Sequence, residues 1–282
     1  MMIEFIIIAI LQGFFEWLPI SSSGQTFIIS MNLFGISAEE AYSLAIWLHL
    51  GTTIAVLLKF RTDFIKILKS FLPNKYVIDE IEIRKRNWLI FATIGTGITA
   101  LPLYFIFRII IAGAFTAFQG DLITLIISSL LIITGIILLK TKKIYGNNTL
   151  VGVQHKEITK DSFLAGLIQG VSILPGISRS GVTVSAVLLE DYNQDNALRL
   201  SFLMSVPVAI ASIIVDIIFG EGSVFGTLEP YLIILTTIIS FLVGYLTIEL
   251  LLRIAQKISF GYFCISYGII AYIIIVPLLI IP

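Results

Sequence analysis

Charge is what this chain of 282 residues has least of. Asp, Glu, Lys and Arg together make up 13% of it, about half the roughly 25% of a soluble globular domain. So few charges cannot cover a water-facing surface, and with 57% apolar residues they exclude a disordered or fibrous chain. A single cysteine, Cys264, cannot make an internal disulfide, which excludes a secreted disulfide scaffold. Eighteen basic residues balance 18 acidic ones, leaving no basic field for nucleic acid. There is no Gly-x-Ser-x-Gly elbow, Walker loop, dinucleotide fingerprint or His-Glu-x-x-His. The N-terminus carries Glu4 where a signal peptide has a basic region, and it has no small-residue cleavage site.

What is present is long apolar runs. A spanning helix needs about 20 mostly apolar residues. Six runs qualify: Tyr42–Phe60, Trp88–Phe107, Leu122–Leu139, Ala197–Phe219, Tyr231–Leu252 and Gly261–Ile281. Two more are interrupted, Ile3–Phe34 at Pro19-Ile20-Ser21-Ser22-Ser23-Gly24 and Ser162–Leu189 at Pro175-Gly176-Ile177-Ser178-Arg179-Ser180-Gly181. Each break joins proline, which cannot continue a helix, to glycine and helix-capping serine. Each half is too short to cross alone, so both read as re-entrant hairpins, at home only inside protein or beside water. The expected fold is an all-α polytopic membrane protein with six spans and two re-entrant hairpins.

The two breaks are copies. At an offset of 157, Gln12-Gly13 meets Gln169-Gly170, Ser21 meets Ser178, Ser23 meets Ser180, Gly24 meets Gly181 and Thr26 meets Thr183. Ser22 meets Arg179, and Pro19 slips by one against Pro175. The chain divides into a first repeat over 1–145 (hairpin 3–34), a linker over 146–157 and a second repeat over 158–282 (hairpin 162–190). Each repeat is a hairpin followed by three spans, and three is odd, so the second is inverted in the membrane. Charge agrees independently: one alternating topology puts 16 of 18 basic residues on one side, Arg108 and Arg179 excepted, and basic flanks face the cytoplasm. The opposite loops carry Glu39, Glu40, Asp121, Glu221 and Glu229. Both termini then face outside. Inverted repeats with broken helices place a site at the repeat interface.

Helix N-termini offer free N–H groups and partial positive charge, which suits phosphate. Two such ends facing one another would grip one anionic ligand, with serine hydroxyls as added donors and glycine letting oxygens approach the backbone. Arg179 adds a bidentate permanent charge. Its presence in the bilayer implies an anionic partner. Glu16 fits that part in the resting site, on the same helix face as Gln12 four residues before. Plainer readings stand beside these. Serine and glycine also serve close helix packing, and Glu16–Arg179 also serves as a structural ion pair. His49 reads as a hydrogen-bonded interior histidine, His155 as solvated, Glu249 and Arg253 as a local i,i+4 pair, and Arg84-Lys85-Arg86 as a topology anchor. Nothing in the sequence ties Asp216 to the site.

Leu11–Gly24 and Leu174–Thr183 resemble the two signatures of the BacA-type undecaprenyl-pyrophosphate phosphatases, in the same order, and the resemblance runs over the whole chain. It implies two re-entrant hairpins in inverted repeats and an active site open to the outer face. It also implies frequent dimers, so a homodimer is an expected partner beside the bilayer and the polyprenyl pyrophosphate lipid. The implied activity removes the terminal phosphate of a C55 polyprenyl pyrophosphate and returns the carrier lipid to cell-envelope synthesis. By position, Glu16 matches the second of two glutamates, Ser21-Ser22-Ser23 the serine segment with Ser22 at the proposed nucleophile, and Ser178-Arg179 the pair contacting pyrophosphate. Gln12 stands where many members have the first glutamate, and Gln25 where many have a histidine after the glycine. That excludes a histidine nucleophile at position 25 and weakens a two-carboxylate metal site. The departures also fit a subfamily acting on another polyprenol, such as a dolichyl-type carrier.

The expected catalytic residues are therefore Glu16, Ser22 and Arg179. Gln12, Ser21, Ser23, Gly24, Gln25, Thr26, Ser178, Ser180, Gly181 and Thr183 are expected to bind substrate. Glu16 is the expected ligand of a divalent cation, Mg²⁺ or Ca²⁺, shared with phosphate oxygens. Two roles stand open for Ser22: nucleophile with Glu16 as proton acceptor, or phosphate binder while Glu16 activates water. Two other functions compete, a transporter or flippase for a phosphorylated lipid or small anion, and a non-catalytic binder.

Overall fold

The computed structural model describes residues 2–18, 20–72, 79–111, 117–141, 146–220, 223–257 and 260–280. Pro19 and Glu221 lie outside the described residues, as do the side chains of Asp121, Arg253 and Cys264. The described residues form helices and no strand. In chain order these are α1 Met2–Phe15, α2 Ser22–Asn32, α3 Ala38–Lys59, α4 Arg61–Lys69, α5 Glu80–Ile111, α6 Ala117–Thr141, α7 His155–Gly170, α8 Arg179–Leu189, α9 Gln194–Phe219, α10 Val224–Thr227, α11 Pro230–Lys257 and α12 Phe260–Ile280. A 3₁₀ turn at Val171–Ile173 follows α7.

Within the described residues each of the six long apolar runs falls on a helix, α3, α5, α6, α9, α11 and α12, with Phe60 just past the end of α3. Four described stretches, Ala38–Lys59, Glu80–Ile111, Gln194–Phe219 and Pro230–Leu250, are long and apolar enough to cross a membrane. α5 starts eight residues before the apolar run, because Glu80–Asn87 continues the helix in charged residues that suit its N-terminal dipole and each other. α7 starts at His155, inside the expected linker, where the Glu157 carboxylate accepts from the Gln154 N–H at 3.3 Å and closes the first turn.

Both interrupted runs are broken where proline, serine and glycine predict. α1, α2, α7 and α8 have 14, 11, 16 and 11 residues. At 1.5 Å per residue none exceeds about 24 Å, short of a bilayer core of about 30 Å. Glycine lets the halves pack closely on longer helices. α7 lies on α5, where any side chain at Gly166 would run into the Ala92 carbonyl and one at Gly95 into that of Phe163. α1 lies on α11, where a Cβ at Gly13 would fall 2.8 Å from the Ser240 carbonyl. α6 pairs with α12 and α3 with α9.

Two ion clusters pin the long helices at their ends. Near one end, Asp63 of α4 accepts from Lys85 of α5 at 2.8 Å and from Arg199 of α9 at 2.7 Å, and Lys85 also reaches Glu82 at 3.3 Å. Burial by itself would raise the Asp63 carboxyl, but the bonds and charges of Lys85 and Arg199 outweigh it and hold the group below its ordinary range. Near the other end, Asp216 of α9 accepts from Arg108 at 2.9 Å, Tyr104 at 3.1 Å, Ser43 at 2.5 Å and Ser223 at 3.1 Å. Glu249 pairs with Lys59 across α11 and α3; the Arg253 side chain expected to pair with it lies outside the described residues.

Candidate active site

The two broken stretches meet. Ser21 has φ +60°, a left-handed conformation in which its side chain caps α2, accepting from the Gly24 N–H at 3.3 Å. The same hydroxyl accepts from the Gly176 N–H of the other break at 3.0 Å. Gly24 faces Gly176 so closely that a Cβ at Gly24 would sit 2.6 Å from the Gly176 nitrogen. Gly176 itself has φ +102°, a conformation open to glycine and rare for other residues. Ser178 repeats the capping role in α8, accepting from Gly181 N–H at 3.1 Å. Two helix N-termini, at Ser22 and Arg179, therefore open beside one another. Their first-turn N–H groups have no intrahelical partner.

Between them lies a cavity of about 250 Å³ whose lining includes Glu16, Ser21, Ser22, Ser23, His49, Gln169, Ser178, Arg179 and Ser180. Glu16 is its centre. One carboxylate oxygen accepts from Gln12 Nε2 at 2.8 Å and Ser22 Oγ at 2.8 Å, while the other pairs with the Arg179 guanidinium. His49 Nε2 lies 3.4 Å from the oxygen that Ser22 contacts. Its Nδ1 is 2.6 Å from the Ala45 carbonyl, so a hydrogen on Nδ1 donates there and fixes the ring. Glu16 and the Arg179 side chain are buried or nearly so, and an uncompensated charge there would be costly.

The sequence-predicted residues fall into two layers. Glu16, Ser21, Ser22, Ser23, Ser178, Arg179 and Ser180 are on the cavity wall. The rest stand behind it. Gln12 reaches the site through Glu16. Gln25 donates to the Ile20 carbonyl at 3.2 Å, Thr26 to the Ser22 carbonyl at 2.9 Å, and Thr183 meets Ser201 Oγ at 2.8 Å. Gly24 and Gly181 give their N–H groups to the two capping serines. These residues shape the two tips.

His49 is a wall residue that the sequence presents as interior, since only the folding of α3 against the end of α1 brings position 49 to position 16. Tyr42 and Tyr104 also line the cavity, with Arg108 stacked beyond them 5.9 and 5.7 Å from their rings. Asp216 thereby belongs to the site's surroundings, one bond behind Tyr104. Among the described residues no group of three His, Cys, Asp or Glu side chains is placed to hold a metal ion. The amide oxygen of Gln12 is buried without a hydrogen-bond partner, so an acceptor stands free on the amide that grips Glu16.

The cavity brings together groups suited to an anion, a guanidinium, two helix N-termini and hydroxyl donors, with one carboxylate that already holds a serine by hydrogen bond. Comparison with known proteins agrees. The model of the bacitracin resistance protein BacA family matches residues 5–273. A protein of Methanothrix thermoacetophila named undecaprenyl-diphosphatase is 38% identical over 95% of this chain and 94% of its own. Proteins of the same name from Methanococcoides burtonii and Haloarcula marismortui are 36% and 33% identical, over 95% and 93% of this chain and 96% and 93% of theirs. With the match running nearly from end to end, the chain belongs to the BacA family.

Proposed function

We propose that the protein is an undecaprenyl-diphosphatase, a membrane hydrolase that removes the terminal phosphate of undecaprenyl or a related polyprenyl or dolichyl diphosphate. The observation that carries the reading is the Ser22–Glu16–Arg179 constellation: a hydroxyl 2.8 Å from a carboxylate oxygen, with a guanidinium on the other oxygen, at the meeting of two helix N-termini. The relatives' name supports it and gives no support to transport. The product monophosphate would return to cell-envelope glycan synthesis as lipid carrier.

The geometry favours Ser22 as nucleophile. An incoming diphosphate competes for Arg179, which exchanges one Glu16 oxygen for phosphate oxygens. Glu16, released from that pair, takes the Ser22 proton as Oγ bonds to the terminal phosphorus and the bridging P–O bond breaks. Glu16 passes that proton to the prenyl monophosphate as it leaves. Water then attacks the phosphoserine, giving a proton to the free Glu16 carboxylate, which hands it to Ser22 Oγ as the P–Oγ bond breaks and inorganic phosphate departs. His49, held by Ala45, stands with Nε2 3.4 Å from the Glu16 carboxylate and limits where it can turn away from Ser22. Arg179 and the N-terminal N–H groups offset the charge on the transferring phosphoryl group, the largest catalytic effect expected for this chemistry. A divalent cation, Mg²⁺ or Ca²⁺, would be held by Glu16, the Gln12 amide oxygen and the diphosphate itself, and when bound would supply further charge neutralisation.

The reading includes the finer architecture: six spans, two re-entrant hairpins, and repeats inverted about the site. The paired packing of α1 on α11 and α7 on α5, each first half-helix on the other repeat's second span, supports it. With basic flanks in the cytoplasm, both termini and the site face outside, and a homodimer is the expected assembly.

Phosphate release by purified protein in detergent tests the proposal, using C55 and shorter polyprenyl diphosphates with Mg²⁺, Ca²⁺ or chelator beside an Arg179→Ala control. Release that needs Arg179 is expected, with labelled phosphate trapped on Ser22. Full activity in Ser22→Ala would move the nucleophile to water. No release by folded protein with lipid bound would sink the hydrolase.

A further inference from the structure

The cavity has an apolar wall that the polar chemistry does not use. It is built by two helices, α5 through Gly97, Ala100 and Leu101, and α9 through Val208, Ala211 and Val215. The spacing is i, i+3/i+4 on α5 and i, i+3, i+7 on α9, so each set lies on one helix face. Leu101 and Ala211 line the cavity and are also exposed on the outside of the molecule. On either side the helices present exposed Ile94, Ile98, Ile210 and Ile214, side chains suited to hydrocarbon. The cavity therefore opens sideways at the level of the apolar surface. Pro102 follows Leu101 and Pro207 precedes Val208. Each proline removes one rung of its helix's hydrogen-bond ladder beside the opening.

We infer that this α5–α9 slot holds the first isoprene units of the prenyl chain, so that the lipid tail leaves the site laterally while the diphosphate stays on Arg179 and the serines. Small side chains on both walls leave room for a branched, flexible chain. Exposure to lipid lets the remainder stay in the bilayer, which explains how one cavity of about 250 Å³ serves a substrate far longer than itself. The inference rests on the diphosphate reading above and adds where the carrier's size and saturation are sensed. Gly97 is the point of control: a Cβ there meets nothing within 4 Å, so a larger side chain enters the slot without displacing backbone. It also improves helix propensity, so the variant folds.

The test measures binding, with every protein carrying Ser22→Ala so that the labelled diphosphate stays intact during the measurement. The dissociation constant of radiolabelled C55 prenyl diphosphate is compared in detergent for the unmodified slot, Gly97→Leu, Ala211→Leu and the control Gly226→Leu. Gly226 lies in α10, where a Cβ also meets nothing. Inorganic pyrophosphate, which has no tail, serves as competitor in each. C55 affinity is expected to fall about tenfold in both slot variants, as for a lost uniform binding contact, with pyrophosphate affinity and the control unchanged. Unchanged C55 affinity, or an equal fall for pyrophosphate, overturns the slot. Slot-dependent binding without any phosphate release by the protein with Ser22 intact would leave the slot standing and overturn the hydrolase.

Discussion

The first hairpin tip and the second share a skeleton and differ in charge. Both carry a glutamine, a capping serine, a second serine and a glycine at one offset. Both glutamines, Gln12 and Gln169, keep a buried, unpartnered amide oxygen. At that offset, however, Glu16 faces Ile173, Ser22 faces Arg179 and His49 faces Val206. The Gln12 amide donates to Glu16, while that of Gln169 donates to the Thr96 hydroxyl at 3.0 Å. Two equivalent helix N-termini have been turned to different work by a few side chains. In the proposed reaction the first tip handles protons, and the second holds negative charge. A symmetric frame thus gives an asymmetric site, which a reaction with distinct nucleophile and leaving group requires.

Substitutions that erase this difference should cost most. Arg179→Ala is expected to lower kcat/KM by about 10³-fold or more, in the range of arginines that neutralise phosphoryl transfer, and Arg179→Lys should recover part of it. Steady-state assays on C55 diphosphate would show this, and a loss under tenfold would leave the arginine a purely structural partner of Glu16. Glu16→Gln keeps the shape and removes the proton acceptor. A loss of about 10²- to 10⁴-fold is expected, mainly in kcat, with diphosphate binding retained. His49→Gln should cost about 10- to 100-fold, by removing the ring that stands 3.4 Å from the Glu16 carboxylate and limits where it can turn. If activity is unchanged, His49 is the interior residue that its sequence context suggests.

Asp63→Asn should scarcely touch kcat, since it lies in the ion cluster away from the tips. It leaves Lys85 with Glu82 alone and takes the carboxylate from half-exposed Arg199, a loss of about 1.5–3 kcal/mol, the worth of a hydrogen bond to a charged group. A lowered thermal midpoint with near-normal turnover is the expected result. The same cluster gives an acid limit. Because Asp63 is held below its ordinary value, its contribution is full above about pH 4, the unfolded carboxyl's range. It is lost as pH falls through the depressed folded value. Asp63→Asn should flatten that part of a stability–pH curve.

Much of this was legible in the chain. Six apolar runs marked the six long helices, because lipid demands continuous apolar surface. Proline, serine and glycine marked both breaks, because those residues act locally on the backbone. The tie between Glu16 and Arg179 was legible from cost alone: a buried arginine needs an anion. What local reading could not supply were contacts made by tertiary folding. His49 reads as one polar residue in an apolar helix until α3 is placed beside Glu16. Asp216, Arg108 and Tyr104 come from two helices far apart in sequence and share no motif. α4 was hidden in a charged connection, since its short amphipathic pattern, Arg61–Lys69, gives little periodicity to read. Gln25, Thr26 and Thr183 carry the motif's signature, and the backbone carbonyls that each one holds behind the wall come from the fold and not from residue type.

The Ser21 hydroxyl, shared between Gly24 of its own break and Gly176 of the other, makes the seat of one tip depend on the other half of the chain. A chimera joining the first half of this chain to the second half of a relative must match position 21 to position 176 across the junction, or one tip loses its seat while both halves remain intact. A change along the helices of either half leaves this contact alone, whereas a change at position 21 or 176 reaches both tips at once.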